Sequence, residues 1–234
     1  MEAIVIAAGQ GTRLAATTGD SPKTLLPFGG GTVLSTVVAN LRHIGVRRIR
    51  LVVGCRKEQI IVCARGWKGV TIHENERWQG GNGLSVLAAL PDRVPEGGIL
   101  LSMSDHLVPP RALAAVARDG SPHALLLTDR RVDRVFDLAD ATKLRLDGRR
   151  ILAIGKELDP FDAIDCGIFR VTEAMRLALE ANAREGRESI TAAVQSLIRE
   201  NAIEAVAIPE DCDWIDIDTP EAYAHAQTAP ERYR

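Results

Sequence analysis

Short apolar runs alternate along the chain with stretches of helical periodicity. The runs at 3–8, 49–53, 70–73, 99–102 and 124–127 are too short for helices and consist largely of aliphatic residues, so they predict buried strands. Between them, apolar residues recur at three- and four-residue spacing over 32–44, 83–90 and 110–118. The last stretch opens with Pro109-Pro110, which suits a helix start because proline presets φ and lacks an N–H that the first turn leaves unpaired. This alternation predicts mainly parallel strands joined by crossover helices. The region 129–169 breaks the rhythm. There, 143–146 and 151–154 flank Asp147-Gly148, a dipeptide suited to a tight hairpin, and predict a local antiparallel excursion. Helical patterns return at 172–182 and 189–200. A last strand at 214–217 runs into Thr219-Pro220-Glu221, where threonine can cap and proline can enter the first turn.

No repeat or linker divides the 234 residues, so one α/β domain with a mixed, mainly parallel sheet is expected over 1–234. Hydrophobic residues at 46% supply an ample core, and a formal net charge of −2 offers no positive field for nucleic acid. Cys55, Cys63, Cys166 and Cys212 form no C-x-x-C pair, which points to free thiols in a reducing cytoplasm. No apolar stretch approaches the roughly 20 residues needed to span a bilayer, so a non-spanning chain is expected.

The first strand ends in Gly9-Gln10-Gly11-Thr12-Arg13, where backbone N–H groups can turn toward a phosphate at the carboxyl end of a strand; the alternative is a tight turn that needs glycine for its own backbone. Neither a Walker A loop nor a dinucleotide fingerprint fits, the latter because Leu14 stands where a third small residue is required. Arg13 and Lys23 add two cations suited to a polyphosphate. Asp105 follows a strand and can hold Mg²⁺ or serve as a turn residue. Asp216 and Asp218, two apart on a strand, point to one face and supply a second arm, although Asp218 can instead help Thr219 start a helix. Asn75, Asn82, Gly83 and Ser85 lie in a polar, glycine-rich segment that suits base or ribose recognition, or forms an ordinary surface loop.

Ala7-Ala8-Gly9-Gln10-Gly11-Thr12-Arg13 followed by Pro22-Lys23 resembles the signature of the sugar-phosphate nucleotidyltransferases. Within them, Ser104-Asp105-His106, Asp140-Ala141-Thr142-Lys143-Leu144-Arg145, Ile154-Gly155-Lys156-Glu157-Leu158, Asp162-Ala163-Ile164-Asp165-Cys166-Gly167-Ile168-Phe169 and Asp216-Ile217-Asp218-Thr219 most resemble the CTP:inositol-1-phosphate cytidylyltransferase group, over nearly the whole chain. The resemblance implies a Rossmann-like, three-layer (GT-A-like) fold. It also implies a nucleotide site at Ala7, Ala8, Gly9, Gly11 and Thr12, Arg13 on the phosphates, Lys23 at the reacting phosphate, and Mg²⁺ at Asp105 with Asp216 or Asp218. Ser104 replaces the group's usual glycine, and Thr24 replaces the second proline of Pro-Lys-Pro-Leu beside the phosphate lysine. Lys156 and Asp165, with Gly167, are the acceptor-side candidates, whereas Lys143 on its hairpin strand reads as solvated.

The implied partners are CTP and a phosphorylated polyol, with a separate membrane synthase using the product. A phosphate monoester acceptor is largely a dianion at neutral pH, its second pKa lying near ~6, so no general base is required. The task is then to align two anions and neutralise charge. The alternatives are another acceptor (a sugar 1-phosphate, phosphocholine or a phosphonate) and a silent nucleotide-sensing subunit on the same fold. With aromatic residues at 4% of the chain, a cage for a trimethylammonium head is poorly supplied.

Overall fold

The computed structural model describes residues 1–14, 19 and 21–234; of Thr12 it describes the backbone only, so the contact expected of its side chain lies outside the described residues. The described residues form thirteen strands: β1 (Glu2–Ala7), β2 (Pro27–Phe28), β3 (Gly31–Thr32), β4 (Arg48–Val53), β5 (Val70–Glu74), β6 (Ile99–Met103), β7 (His106–Leu107), β8 (Ala124–Asp129), β9 (Lys143–Asp147), β10 (Arg150–Gly155), β11 (Ala163–Val171), β12 (Ile203–Ala207) and β13 (Ile215–Asp216). Nine of them form one sheet in the order β5-β4-β1-β6-β11-β8-β12-β10-β9.

Both faces of this sheet are covered, which is why its inner strands carry apolar residues on both faces. On β1, Ala3, Val5 and Ala7 join one buried cluster while Ile4 and Ile6 join the other, as the two-residue strand period requires. The mixed sheet expected from the sequence is present, and its antiparallel part reaches the centre. β11 runs antiparallel between β6 and β8, and β9 and β10 form the predicted hairpin with Gly148 left-handed at φ 59°. The strand β12 and the helix Lys57–Ala64 were not evident in the pattern.

Helix boundaries follow local chemistry. Val33–His43 starts at Thr32, whose hydroxyl accepts the Ser35 N–H at 3.1 Å while the Ser35 hydroxyl accepts the Thr32 N–H at 2.7 Å. Ser189 caps Ile190–Arg199 and Thr219 caps Pro220–Thr228 by accepting the N–H three residues on, each at 3.1 Å. Among the described residues, no helix is long and apolar enough to cross a membrane.

Two features aim the fold at one place. The loops after β1 and β6 leave the sheet on the same edge, and β7 pairs with β13, setting His106 opposite Asp216. On β11 the pairing with β8 is interrupted between Asp165 and Phe169, where Gly167 is left-handed at φ 73°.

Candidate functional site

A cavity of about 400 Å³ opens at this edge. Ala7, Ala8 and Gly9 line it from the end of β1, Asp105 and His106 from the end of β6, Asp165 and Gly167 from β11, and Asp216 and Asp218 from the last strand and its exit. Arg13, Lys23, Asn82, Ser85 and Lys156 complete the set of predicted residues that reach it. Gly11 stands behind Lys23: it is left-handed at φ 64°, and a Cβ there would approach Lys23 Cγ to 3.2 Å.

The cations sit among carboxylates. Lys23 Nζ lies 2.5 Å from Asp105 Oδ2 and bonds also to Asp218. Arg13 pairs with Asp218, with Asp140 at 2.8 Å and with Asp137 at 3.5 Å. The second oxygen of Asp140 meets Lys156 Nζ at 2.6 Å, so one carboxylate joins a cation beside the glycine loop to Lys156, just past β10. Nothing in their sequence positions marks Asp137 and Asp140 as site residues, because the contact depends on how the segment after β8 folds back.

His106 Nδ1 bonds Asp105 Oδ1 at 2.9 Å and lies 3.7 Å from Asp216 Oδ1. Burial opposes charging of the ring, yet Asp216, Asp105 and Asp165 together push it up to about 9. Burial likewise works against ionised Asp105, but Lys23 and His106 outweigh it and hold that carboxyl below the usual range. Asp165 is pushed up to about 6 by burial, partly offset by the Gly167 N–H that its Oδ1 accepts at 2.7 Å. Burial also raises Asp216, whose Oδ1 has no hydrogen-bond partner.

Some expectations need correction. Asn75 is buried and outside the cavity: its Nδ2 donates to Ser85 Oγ at 2.9 Å and its Oδ1 accepts the Arg77 N–H at 2.9 Å, so its amide shapes the loop instead of facing a base. Gly83 is a packing glycine, since a Cβ there would fall 2.6 Å from the Glu188 carbonyl oxygen. Asn82 does line the cavity, but its Oδ1 accepts the Ile190 N–H at 2.8 Å. The strand predicted at 214–217 is only Ile215–Asp216; Asp216 neighbours Asp105 and His106, whereas Asp218 shares Lys23 with Asp105. Lys143 donates to the Lys156 carbonyl at 2.7 Å and lies over the Phe161 ring, as its solvated reading allowed. Thr24 is buried with its hydroxyl unpartnered, Ser104 is buried too, and both line the cavity.

The model of the MobA-like NTP transferase domain matches residues 3–159. The chain is 32% identical over 225 residues to the bifunctional IPC transferase and DIPP synthase of Rubrobacter xylanophilus, covering 94% of this chain and 49% of that protein. It therefore spans about half the length of this relative. It is 32% identical over 185 residues to the 2-aminoethylphosphonate cytidylyltransferase of Lancefieldella rimae, covering 75% of this chain and 70% of that one. Among solved structures, the inositol-1-phosphate CTP transferase from T. maritima superposes with a TM-score of 0.83 at 29% identity, covering 94% of this chain and 90% of the other. By the length matched and by the geometry of its glycine loop and strand-end carboxylates, this chain belongs to the family of MobA-like NTP transferase domains.

Proposed function

We propose that the chain transfers a cytidylyl group from CTP to inositol 1-phosphate, giving CDP-inositol and pyrophosphate. One observation carries the reading: Arg13, Lys23 and the strand-end carboxylates converge on one cavity, in a chain that resembles an inositol-1-phosphate CTP transferase along nearly its whole length. The loop after β1 takes the nucleotide, Arg13 the triphosphate and Lys23 the reacting phosphate, where a flexible point charge can follow developing negative charge. Lys156, Asp165 and Gly167 form the acceptor side. The acceptor phosphate is already a dianion, and these residues align it with the α-phosphorus.

A divalent cation fits the acidic set. Asp105, His106 and Asp216 offer ligand atoms within 4.8 Å of one another, and Asp216 Oδ1 is buried without a partner. Mg²⁺ prefers oxygen, so Asp105 with Asp216, and Asp218 next to them, would hold it while His106 orients Asp105. When bound, it would neutralise phosphate charge as pyrophosphate leaves. The cytoplasmic setting is supported by four free cysteines, and residues 1–234 act in this reading as one catalytic unit.

The rival acceptor is an aminoalkylphosphonate, favoured by the half-buried carboxyls of Asp165 and Asp216 in the cavity wall, which suit an ammonium. Phosphorus NMR of the products from CTP with each acceptor tests the reading: CDP-inositol and pyrophosphate are expected from inositol 1-phosphate, and product from the phosphonate alone would replace that acceptor.

A further inference from the structure

Asp129, the last residue of β8, has no part in the chemistry above and does not line the cavity, yet it is a carboxylate only 2% exposed. A buried carboxylate persists only when its oxygens are satisfied. Here Oδ1 accepts the Arg131 backbone N–H and Nε, both at 2.9 Å, and Oδ2 accepts Arg131 Nη2 at 2.8 Å and the indole N–H of Trp214 at 3.1 Å. Arg131 also donates to the carbonyls of Glu210 and Cys212, each at 2.8 Å, so the clamp binds the end of β8 to the segment that delivers Trp214.

Trp214 stacks on His106 at a centroid distance of 5.9 Å and 17° between planes. The His106 ring also rests on the bare Cα of Gly167, where a Cβ would fall 2.4 Å from Cδ2. His106 is thus held between an indole and the β11 irregularity, and it bonds Asp105. The path from Asp129 to the site runs through Trp214 and His106 and ends beside Asp165 and Gly167.

We propose that Asp129 is a positioning residue for the acceptor half of the site: by fixing the Trp214 indole it fixes His106 against Gly167. The kinetic part rests on the proposed cytidylyl transfer; the structural part does not. Asp129→Asn puts an NH2 donor where one oxygen accepts two N–H groups; with the amide oxygen kept on the Arg131 backbone N–H and Nε, the NH2 faces Arg131 Nη2 and the Trp214 indole N–H, and both lose their acceptor. Trp214→Phe keeps a ring for stacking and removes the N–H.

The test combines kinetics with side-chain NMR on the full chain. For Asp129→Asn, kcat/KM for inositol 1-phosphate should fall about tenfold, as is typical when a group orienting a site residue is lost, while KM for CTP moves less than about twofold. Trp214→Phe should show the same split, and the double variant should be no worse than Trp214→Phe alone, because both remove one linkage. In spectra of Asp129→Asn, the Trp214 indole N–H signal, identified by its loss in Trp214→Phe, should move and exchange faster with water, and the His106 ring signals should shift. Additive losses, equal losses for both substrates, or unmoved Trp214 and His106 signals would overturn the proposal. If the wild-type chain turns over no acceptor, the proposed function fails, and the two NMR signals alone decide the positioning claim.

Discussion

Lys23 Nζ lies 2.5 Å from Asp105 Oδ2, and the same ammonium bonds Asp218. One lysine thereby joins carboxylates delivered by two separate segments, and Gly11 gives its stem room to pass. Replacing Lys23 with alanine should lower kcat by about 10²–10³, the range seen when one charge-stabilising donor is removed, and weaken CTP binding much less. Turnover at saturating substrates and calorimetric binding of CTP measure the two effects. A collapse of affinity with kcat intact would make Lys23 a binding group only.

Asp105→Asn should lower turnover by orders of magnitude while the chain stays folded, because the carboxylate meets a cationic group on either side. Excess chelator should abolish wild-type activity and added Mg²⁺ restore it. Full activity in chelator, or unchanged turnover in the variant, would remove the metal from the scheme.

Gly167→Ala places a Cβ at φ 73° and 2.4 Å from His106 Cδ2. The backbone alone should cost about 1–2 kcal/mol, and the ring must also move. Gly120→Ala, where nothing lies within 4 Å, is the control and should stay within about 0.5 kcal/mol of wild type. Denaturant melts and acceptor kcat/KM should both single out the Gly167 variant; equal behaviour of the two would contradict the packing described.

Burial pushes the Asp165 carboxyl up to about 6 in the folded chain, above the ~3.9 of an unfolded aspartate. Between about pH 4 and 6 the folded state therefore binds the extra proton, and stability falls as pH rises through that window. Asp165→Asn should remove this slope and gain on the order of 2 kcal/mol over wild type at pH 7, an upper figure, while losing acceptor selectivity. Unfolding midpoints at pH 4 and pH 7 measure it. A stability difference that is the same at both values would contradict a raised pKa.

The last helix start is legible because its signal is local: Thr219 caps as its place before Pro220 suggests, while the caps at Thr32 and Ser189 emerge from the structure. The helix Lys57–Ala64 is not legible because Ile60, Ile61, Val62, Cys63 and Ala64 run consecutively, without a helical stripe, and the residue at its start, Arg56 at φ 51°, makes no side-chain capping bond. Gly9 of the glycine loop, Asp105 and the Asp216/Asp218 pair line one cavity, a convergence their strand-end positions suggest. Asn75 and Gly83 misled because the partners that engage their segment, Ser85 and Glu188, follow from folding and not from spacing. The same holds for Asp129 and Trp214, whose link exists only once the last strand has crossed back to β8.

The most direct measurement is kcat/KM for inositol 1-phosphate, 2-aminoethylphosphonate, phosphocholine and glucose 1-phosphate, each with CTP and with UTP, read as pyrophosphate release. Inositol 1-phosphate with CTP should lead, because polar groups set for a polyol are left unpaired by an acceptor lacking hydroxyls, a difference that can reach 10⁴-fold. A clear preference for any other acceptor, or no pyrophosphate with any pair, would contradict it.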